Sequence, residues 1–329
     1  MNESLDVITF GEAMVMLVAE QPGELAEVVS FRKHVAGADS NVAIGLARLG
    51  HRVGWLSRLG RDSFGQYIAQ ALTREGVDCS NVIWDDRRST GFQLKQMAVA
   101  GADPHVEYFR RNSAASHLST ADFRPGLFLS ARHFHATGIP PALSPETREL
   151  SHHALAQMRL AGRTVSFDPN LRPGLWSSRE QMVREINRLA FLADWVMPGL
   201  AEGRILTGLQ APADIAAFYL DQGVKEVVIK LGADGCYFQT AAERGQVAPF
   251  PVANITDTVG AGDAFAVGYV SARLEGHDPA GAGKRGNFLG AQVIQAVGDN
   301  EGLPHRKVVD EMEEASGLPL ARAHPAPCA

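Results

Sequence analysis

Asp257-Thr258-Val259-Gly260-Ala261-Gly262-Asp263-Ala264-Phe265 places two glycines one residue apart, an acid directly after them, and an apolar helix-like run beyond. Glycine lets the backbone turn sharply and approach a ligand closely. A helix that starts here aims free N–H groups and the positive end of its dipole at whatever precedes it, which makes an anion site. Asp263 puts a carboxylate at the mouth of that site. A base that deprotonates a nucleophile beside a transferring phosphoryl group accounts for such a pairing. A glycine turn with Asp263 as helix N-cap accounts for the same residues. The rest of the chain has to separate the two readings.

The chain has 329 residues, 45% of them hydrophobic, which is enough for a large core in one or two domains. Its 31 basic and 37 acidic side chains leave it mildly acidic, so neither nucleic acid nor an anionic membrane is expected as a partner. Three cysteines without CxxC spacing suit a reducing cytoplasm. The first residues lack the basic-then-apolar pattern of a signal peptide. No run of about 18 apolar residues is present to span a membrane. A soluble cytoplasmic protein is expected.

Upstream of the opening stretch, Val7–Phe10 reads as a buried strand, with Glu12 just past its carboxyl end as a ligand-side or an exposed loop acid. Ala36-Gly37-Ala38-Asp39-Ser40-Asn41 is a second glycine-containing loop opening onto a helix, with Asp39, Ser40 or Asn41 as its cap and Gly50 as its stop. Strands at 53–57 and 82–84 flank a helix at 63–75, giving a β-α-β-α-β start and a parallel sheet with helices on both faces. Residues 88–112 break that rhythm. Two strands around Gly101–Pro104 read as a hairpin which, with part of 13–35, forms a small β lid. Tyr108 and Arg110 share one face of it. Arg110 suits a carboxylate or phosphate there, or a solvated strand edge.

His133 and His135 share a strand face without a third ligand at diagnostic spacing, so they read as strand residues. Thr164–Phe167 delivers Asp168, Asn170 and Arg172 to a strand's carboxyl end on a loop stiffened by Pro169 and Pro173. Acid, amide and guanidinium so placed can orient a polyol and a phosphate. Glu202 opens a further helix, where it suits the dipole or holds Mg²⁺ through water. Leu231–Gly235 is a flexible turn that a nucleotide could approach, and residues from about 321 read as a flexible tail. No Gly-x-x-x-x-Gly-Lys-Ser/Thr P-loop occurs.

The Ala36–Asn41 and Asp257–Asp263 stretches together resemble the paired signatures of the ribokinase-like (PfkB) carbohydrate kinases, over roughly residues 5–305. The resemblance implies a three-layer α/β fold, a central mostly parallel sheet with helices on both faces and a β lid, as one unit over about residues 1–320. It implies MgATP-dependent phosphorylation of a sugar hydroxyl, a monovalent cation as a possible helper, and a homo-oligomer such as a dimer. Within the family the chain is most similar to kinases of the sugar acid 2-keto-3-deoxygluconate, on Val106–Ser116, Ala142–Glu146, the Asp168–Trp176 loop and Gly298–Pro304. Residues Ser166–Trp176 are similar to fructokinases as well. By resemblance Asp263 is the base, with the amides of Gly260, Ala261 and Gly262 as anion hole. Gly37, Asn41, Tyr108, Arg110, Arg172 and Asp299 would contact the sugar acid. Asn170 and Arg172 would reach the ATP phosphates, and Lys230, Gly232, Gly235 and Asn287 would lie along the nucleotide. Gln93 stands where similar kinases can place a lid tyrosine. The family's Asn-x-x-Glu element reads Gly199-Leu200-Ala201-Glu202.

Overall fold

Val7, Ile8 and Phe10 are all buried, and they divide between two hydrophobic clusters: Val7 faces one, Ile8 and Phe10 the other. Val228 and its neighbours Val227 and Ile229 divide in the same way. Period-two burial on both faces is the mark of strands covered by helices on each side. The computed structural model describes residues 4–97, 104–315 and 317. The expected hairpin tip at 101–103 and the tail from 321 lie outside them.

In chain order the strands are β1 Val7–Phe10, β2 Met14–Ala19, β3 Phe31–Ala36, β4 Val53–Leu56, β5 Arg58–Gly60, β6 Ile83–Asp85, β7 Phe92–Lys95, β8 Val106–Phe109, β9 His133–Thr137, β10 Thr164–Asp168, β11 Trp195–Val196, β12 Glu226–Lys230, β13 Cys236–Thr240 and β14 Arg244–Val247. Eight form the main sheet in the order β14-β13-β12-β11-β10-β9-β1-β4. It is parallel from β4 to β12, and β13 and β14 add an antiparallel edge. One face carries helices Ala38–Arg48, Ala261–Leu274, Pro279–Val293 and Arg306–Ala315, whose Leu46, Val267, Leu289 and Val309 share a cluster with Val7. The other carries helices Pro145–Leu160, Arg179–Ala190, Leu200–Thr207 and Pro212–Asp221, whose Leu150, Ile186, Leu206 and Ile215 pack with Ile8 and Phe10. This is the expected three-layer α/β architecture.

The lid is a separate sheet, β3-β2-β7-β8. The β7–β8 pair is antiparallel as a hairpin requires, and β2 joins β7 in parallel. One part of the expected opening differs. The strand at 82–84 does not extend the main sheet; as β6 it pairs with β5 in a two-stranded sheet of its own. Three-residue strands of that kind have too few residues for a pattern to show which sheet they join. The helix Arg306–Ala315 was also not anticipated, though its buried Val309, Met312 and Glu313 fall at helical spacing.

β9 and β10 turn His133, His135 and Ser166 toward one another on one face. His133 bonds Thr164 Oγ1 at 2.8 Å and Ser166 Oγ at 2.7 Å, and His135 Nδ1 bonds the same Ser166 Oγ at 2.8 Å. Burial pushes the His135 pKa down to about 3, so it is a neutral polar strand residue. No group of three or more His, Cys, Asp or Glu poised for a metal occurs among the described residues. Among them, no helix is long and apolar enough to cross a membrane.

Candidate active site

The parallel strands β1, β10, β11 and β12 deliver Glu12, Asp168 with its loop, Gly199 and Lys230 to one edge of the main sheet, where they line a cleft of about 610 Å³. Carboxyl ends of parallel strands gather loops that can converge on a ligand. The lid closes the other side with Met14, Gln93, Lys95, Tyr108 and Arg110. Thr258, Val259, Gly260, Gly262, Asp263 and Asp299 complete the wall. Of the residues expected to act, Gly37, Asn41, Tyr108, Arg110, Asn170, Arg172, Glu202, Lys230, Gly232, Gly260, Gly262, Asp263 and Asp299 all line this cleft. Gly235, Asn287 and Ala261 do not. Gly235 takes a left-handed turn (φ 83°) against the Val247 carbonyl, and Asn287 Nδ2 donates to the Val247 and Ala248 carbonyls at 3.2 and 2.9 Å.

The capping alternatives of the two glycine loops do not hold. Helix Ala261–Leu274 has Gly260 as its N-cap, with no side-chain cap, and Asp263 lies inside the first turn. Gly260 is left-handed (φ 85°), and a Cβ there would run into the Asp299 carbonyl oxygen. The first bond of this helix runs from Ala264 N to Gly260 O at 2.9 Å. The amides of Ala261, Gly262 and Asp263 precede it and have no carbonyl one turn back. Likewise Gly37 (φ 145°), not Asp39, Ser40 or Asn41, stands at the N-cap of helix Ala38–Arg48. Those three side chains turn away from the helix amides: Asp39 accepts from Thr137 Oγ1, Ser40 donates to the Gly37 carbonyl, and Asn41 reaches Asp263.

Asp263 is therefore free for other work. It is buried, and its carboxylate accepts from Asn41 Nδ2 at 2.8 Å and from Asn170 Nδ2 at 3.1 Å. Burial raises its pKa above the ordinary carboxylate value; the Asn41 bond, Lys230 and Arg172 oppose that, and Glu202 adds to it. The result is a carboxylate more basic than usual, held in one orientation. Asn300 fixes that orientation from behind, though nothing in the sequence singled it out. Its Nδ2 donates to Asn41 Oδ1 at 3.0 Å and to the Val35 carbonyl at 2.9 Å, so the Asn41 amide must present its NH₂ to Asp263. Asn170 has φ 38°, a conformation asparagine tolerates better than most residues. Its Oδ1 is buried without a partner.

Lys230 donates to Asp168 Oδ2 at 2.6 Å, and a Cβ on Gly262 would lie 3.5 Å from its Nζ. Burial pushes Asp168 up to about 6 against the pull of Lys230. Burial also works against the Lys230 charge, yet Asp168 and Glu202 hold its pKa above the usual value. A fixed positive charge thus stands beside the helix mouth. Glu202 accepts from Leu171 N and Gly199 N, both at 2.7 Å. It ties the Asp168–Arg172 loop to helix Leu200–Thr207 and supplies one half of a capping box, accepting from the backbone N–H of the N-cap Gly199, which has no side chain to return the bond. A Mg²⁺ that keeps water and phosphate oxygens as most of its ligands suits this sparse donor set.

The lid arginine behaves differently from the sequence expectation of an uncommitted cation. Glu12 is buried, not an exposed loop acid, and takes Arg110 Nε at 2.7 Å and Nη2 at 2.5 Å, with Ser113 Oγ on its other oxygen. Arg172 is the cleft arginine with no ion pair among the described residues; its Nη1 donates only to the Leu171 carbonyl.

Residues 4–306 match the description pfkB family carbohydrate kinase. The chain belongs to the pfkB family of carbohydrate kinases. A Bacillus subtilis (strain 168) relative, 2-dehydro-3-deoxygluconokinase, is 51% identical over 304 residues, 92% of this chain and 94% of its own. The PfkB protein from Polaromonas sp. JS666 superposes with a TM-score of 0.86 at 52% identity, covering 93% of this chain and 99% of its own. A ribokinase-II-type protein of E. coli, crystallised with ATP and Mg²⁺, gives 0.87 at 26% identity over 94% and 99% of the two chains. The family uses ATP with Mg²⁺, and the cleft of this kinase fits both: amides and Lys230 for phosphate, Glu202 toward a hydrated cation.

Proposed function

We propose that this kinase transfers the γ-phosphoryl group of ATP to the terminal hydroxyl of 2-keto-3-deoxygluconate, giving the 6-phosphate. The observation that carries the chemistry is Asp263, a buried carboxylate gripped by two amides at the mouth of a helix whose first N–H groups are free. The likeness to the Bacillus subtilis kinase points the substrate reading at a sugar acid.

In this reaction Asp263 takes the proton from the sugar hydroxyl as its oxygen attacks the γ-phosphorus. The bond to the bridging oxygen breaks, and the electron pair leaves with ADP. The amides of Ala261 and Gly262, with Gly260 shaping the turn, meet the negative charge that grows on the phosphoryl oxygens. Lys230, Asn170, Arg172 and Gly232 steady the phosphates, with Gly235 and Asn287 supporting the turn beside the nucleotide. Mg²⁺, when bound, would shield the phosphate charge, and Glu202 would hold it through water. Gly37, Asn41, Tyr108 and Asp299 hold the polyol. Arg172 offers its unpaired charge to the sugar carboxylate, and Arg110, already paired with Glu12, orders the lid wall beside it.

The unit that does this spans the chain to about residue 320, in the cytoplasm. It works as a homodimer joined at the lid, where Val29 and Phe109 are exposed; light scattering at micromolar concentration checks the mass. A panel of sugars with coupled ADP detection tests the substrate. The keto-deoxy acid should give the highest kcat/KM. Faster turnover of fructose would replace the sugar-acid reading with a fructokinase, and ATP binding without any transfer would make the chain a sugar- or nucleotide-binding regulator.

A further inference from the structure

Lys95 ends lid strand β7 with its side chain turned into the protein, only 1% exposed. Lysine is almost never buried so fully unless it is paired. Its Nζ donates to Asp257 Oδ2 at 2.5 Å and stands 3.6 Å from Asp299 Oδ1. These two aspartates come from the two backbone segments that shape the phosphoryl loop. Asp257 opens the loop, and its Oδ1 accepts from Val259 N at 3.1 Å, which sets the bend before Gly260. Asp299 lies in the turn whose carbonyl packs on Gly260. Both carboxylates are buried, as is Asp263 nearby. Like charges this close disfavour one another, and burial together with Asp263, Asp257 and Glu301 pushes Asp299 up to about 7 against the pull of Lys95. Lys95 is the ammonium that both loop aspartates face, and it is carried by the lid.

We propose that Lys95 is a positioning residue for phosphoryl transfer: its ammonium is a built-in cation that locks the Asp257–Gly262 loop to the lid, so no mobile monovalent cation is needed between Asp257 and Asp299. The inference rests on the transfer reaction proposed above. It gives the lid a second task. Besides covering the sugar, β7 holds the loop that receives the phosphoryl group, so a displaced lid loosens the anion hole.

The test compares Lys95→Ala and Lys95→Met with the full-length wild type, in buffers whose cation is tetramethylammonium, potassium or ammonium. Wild-type kcat should be the same in all three. Both variants should lose about 100-fold in kcat, the order of cost of misplaced reacting groups, with the ATP KM nearly unchanged. Ammonium or potassium should restore Lys95→Ala at least about tenfold, because the truncated side chain leaves room between two carboxylates that attract a cation. Lys95→Met fills that room and should not be rescued. A merely structural role would move neither the rescue nor the difference between the two variants. Lys95→Met within threefold of wild type, or no rescue of folded Lys95→Ala, overturns the proposal. So does a wild-type dependence on potassium equal to that of the Ala variant.

Should the single variants fail to fold by circular dichroism, Lys95→Met combined with Asp299→Asn keeps the same net charge at this spot. That double variant must fold and be slow. A fast double variant, or one that also fails to fold, overturns the positioning role. If wild type leaves the keto-deoxy acid untouched, only the substrate reading fails, and the same ratios are measured on whichever sugar it phosphorylates.

Discussion

Asp263→Asn isolates the base. The substitution keeps size and position but replaces one carboxylate oxygen with an NH₂ group. In the wild type the two oxygens accept from Asn41 Nδ2 at 2.8 Å and Asn170 Nδ2 at 3.1 Å. Asn300 holds the Asn41 amide, so Asn41 cannot flip to accept instead. The new amide can satisfy one donor and must face the other with its own N–H. Leaving a buried donor unmet costs roughly 1–3 kcal/mol. Loss of a positioned general base costs about 10²–10⁴ in rate, or roughly 3–5.5 kcal/mol. If the local cost shifts the reacting groups even slightly, the two effects compound, and kcat should fall by at least about 10³. The ATP phosphates are held by other groups, so ATP affinity should change by less than about threefold.

A coupled ADP assay gives kcat, titration calorimetry gives ATP binding, and a pH–rate profile supplies the decisive readout. Because burial raises the Asp263 pKa, wild-type kcat/KM should climb with pH on an acid limb above the ordinary aspartate range. In Asp263→Asn that limb should vanish. A variant with kcat within tenfold of wild type, or one that keeps the same limb, would refute the assignment of Asp263 as base.

Three further outcomes follow from the same geometry. Asn300→Ala frees the Asn41 amide to rotate away from Asp263, and loss of one orienting bond of about 1 kcal/mol should lower kcat several-fold with little change in melting temperature; unchanged kcat speaks against Asn300 as an orienter. Asp299 has a folded-state pKa raised to about 7, so the stability it contributes is present at low pH and lost as pH rises through about 7. Asp299→Asn should therefore melt higher than wild type at about pH 8 and lose that advantage by about pH 4.5, with weaker sugar binding throughout; a pH-independent gap would contradict the linkage. Arg285 is fully buried and paired with Glu275 Oε2 and Glu313 Oε1, both at 2.6 Å; Glu275 keeps Arg306 and His51, so Arg285→Met strands Glu313 and should cost about 3–5 kcal/mol in denaturant unfolding, part of which Glu313→Gln restores.

The readable part of this site was local. Strand β1, the Thr164–Asp168 strand, both glycine loops and the lid hairpin each announce themselves within about ten residues, through burial period, proline and glycine. What escaped was pairing across the chain. Lys95 meets Asp257 162 positions away, and Asn300 meets Asn41 259 positions away. Neither lysine in a hairpin nor asparagine in a polar turn has a local pattern that betrays its partner. Glu12 stayed open between a ligand-side and an exposed acid for the same reason, since its burial depends on Arg110 and Ser113, 98 and 101 residues on. Asp39, Asn41 and Asp263 look like caps in one dimension, whereas the N-caps are glycines two to four residues earlier.

The left-handed backbone at Asn170 narrows what substitution can do there. Glycine would relax the φ of 38° and should make the protein hardier, but it removes a donor from Asp263. Aspartate shares asparagine's tolerance for this conformation but would set a second negative charge against the base. Any larger side chain adds strain. Among the twenty residues only asparagine satisfies both backbone and base, so random drift at this codon has almost nowhere to go. Laboratory selection for heat resistance alone should lead to Asn170→Gly, a slower and more durable protein.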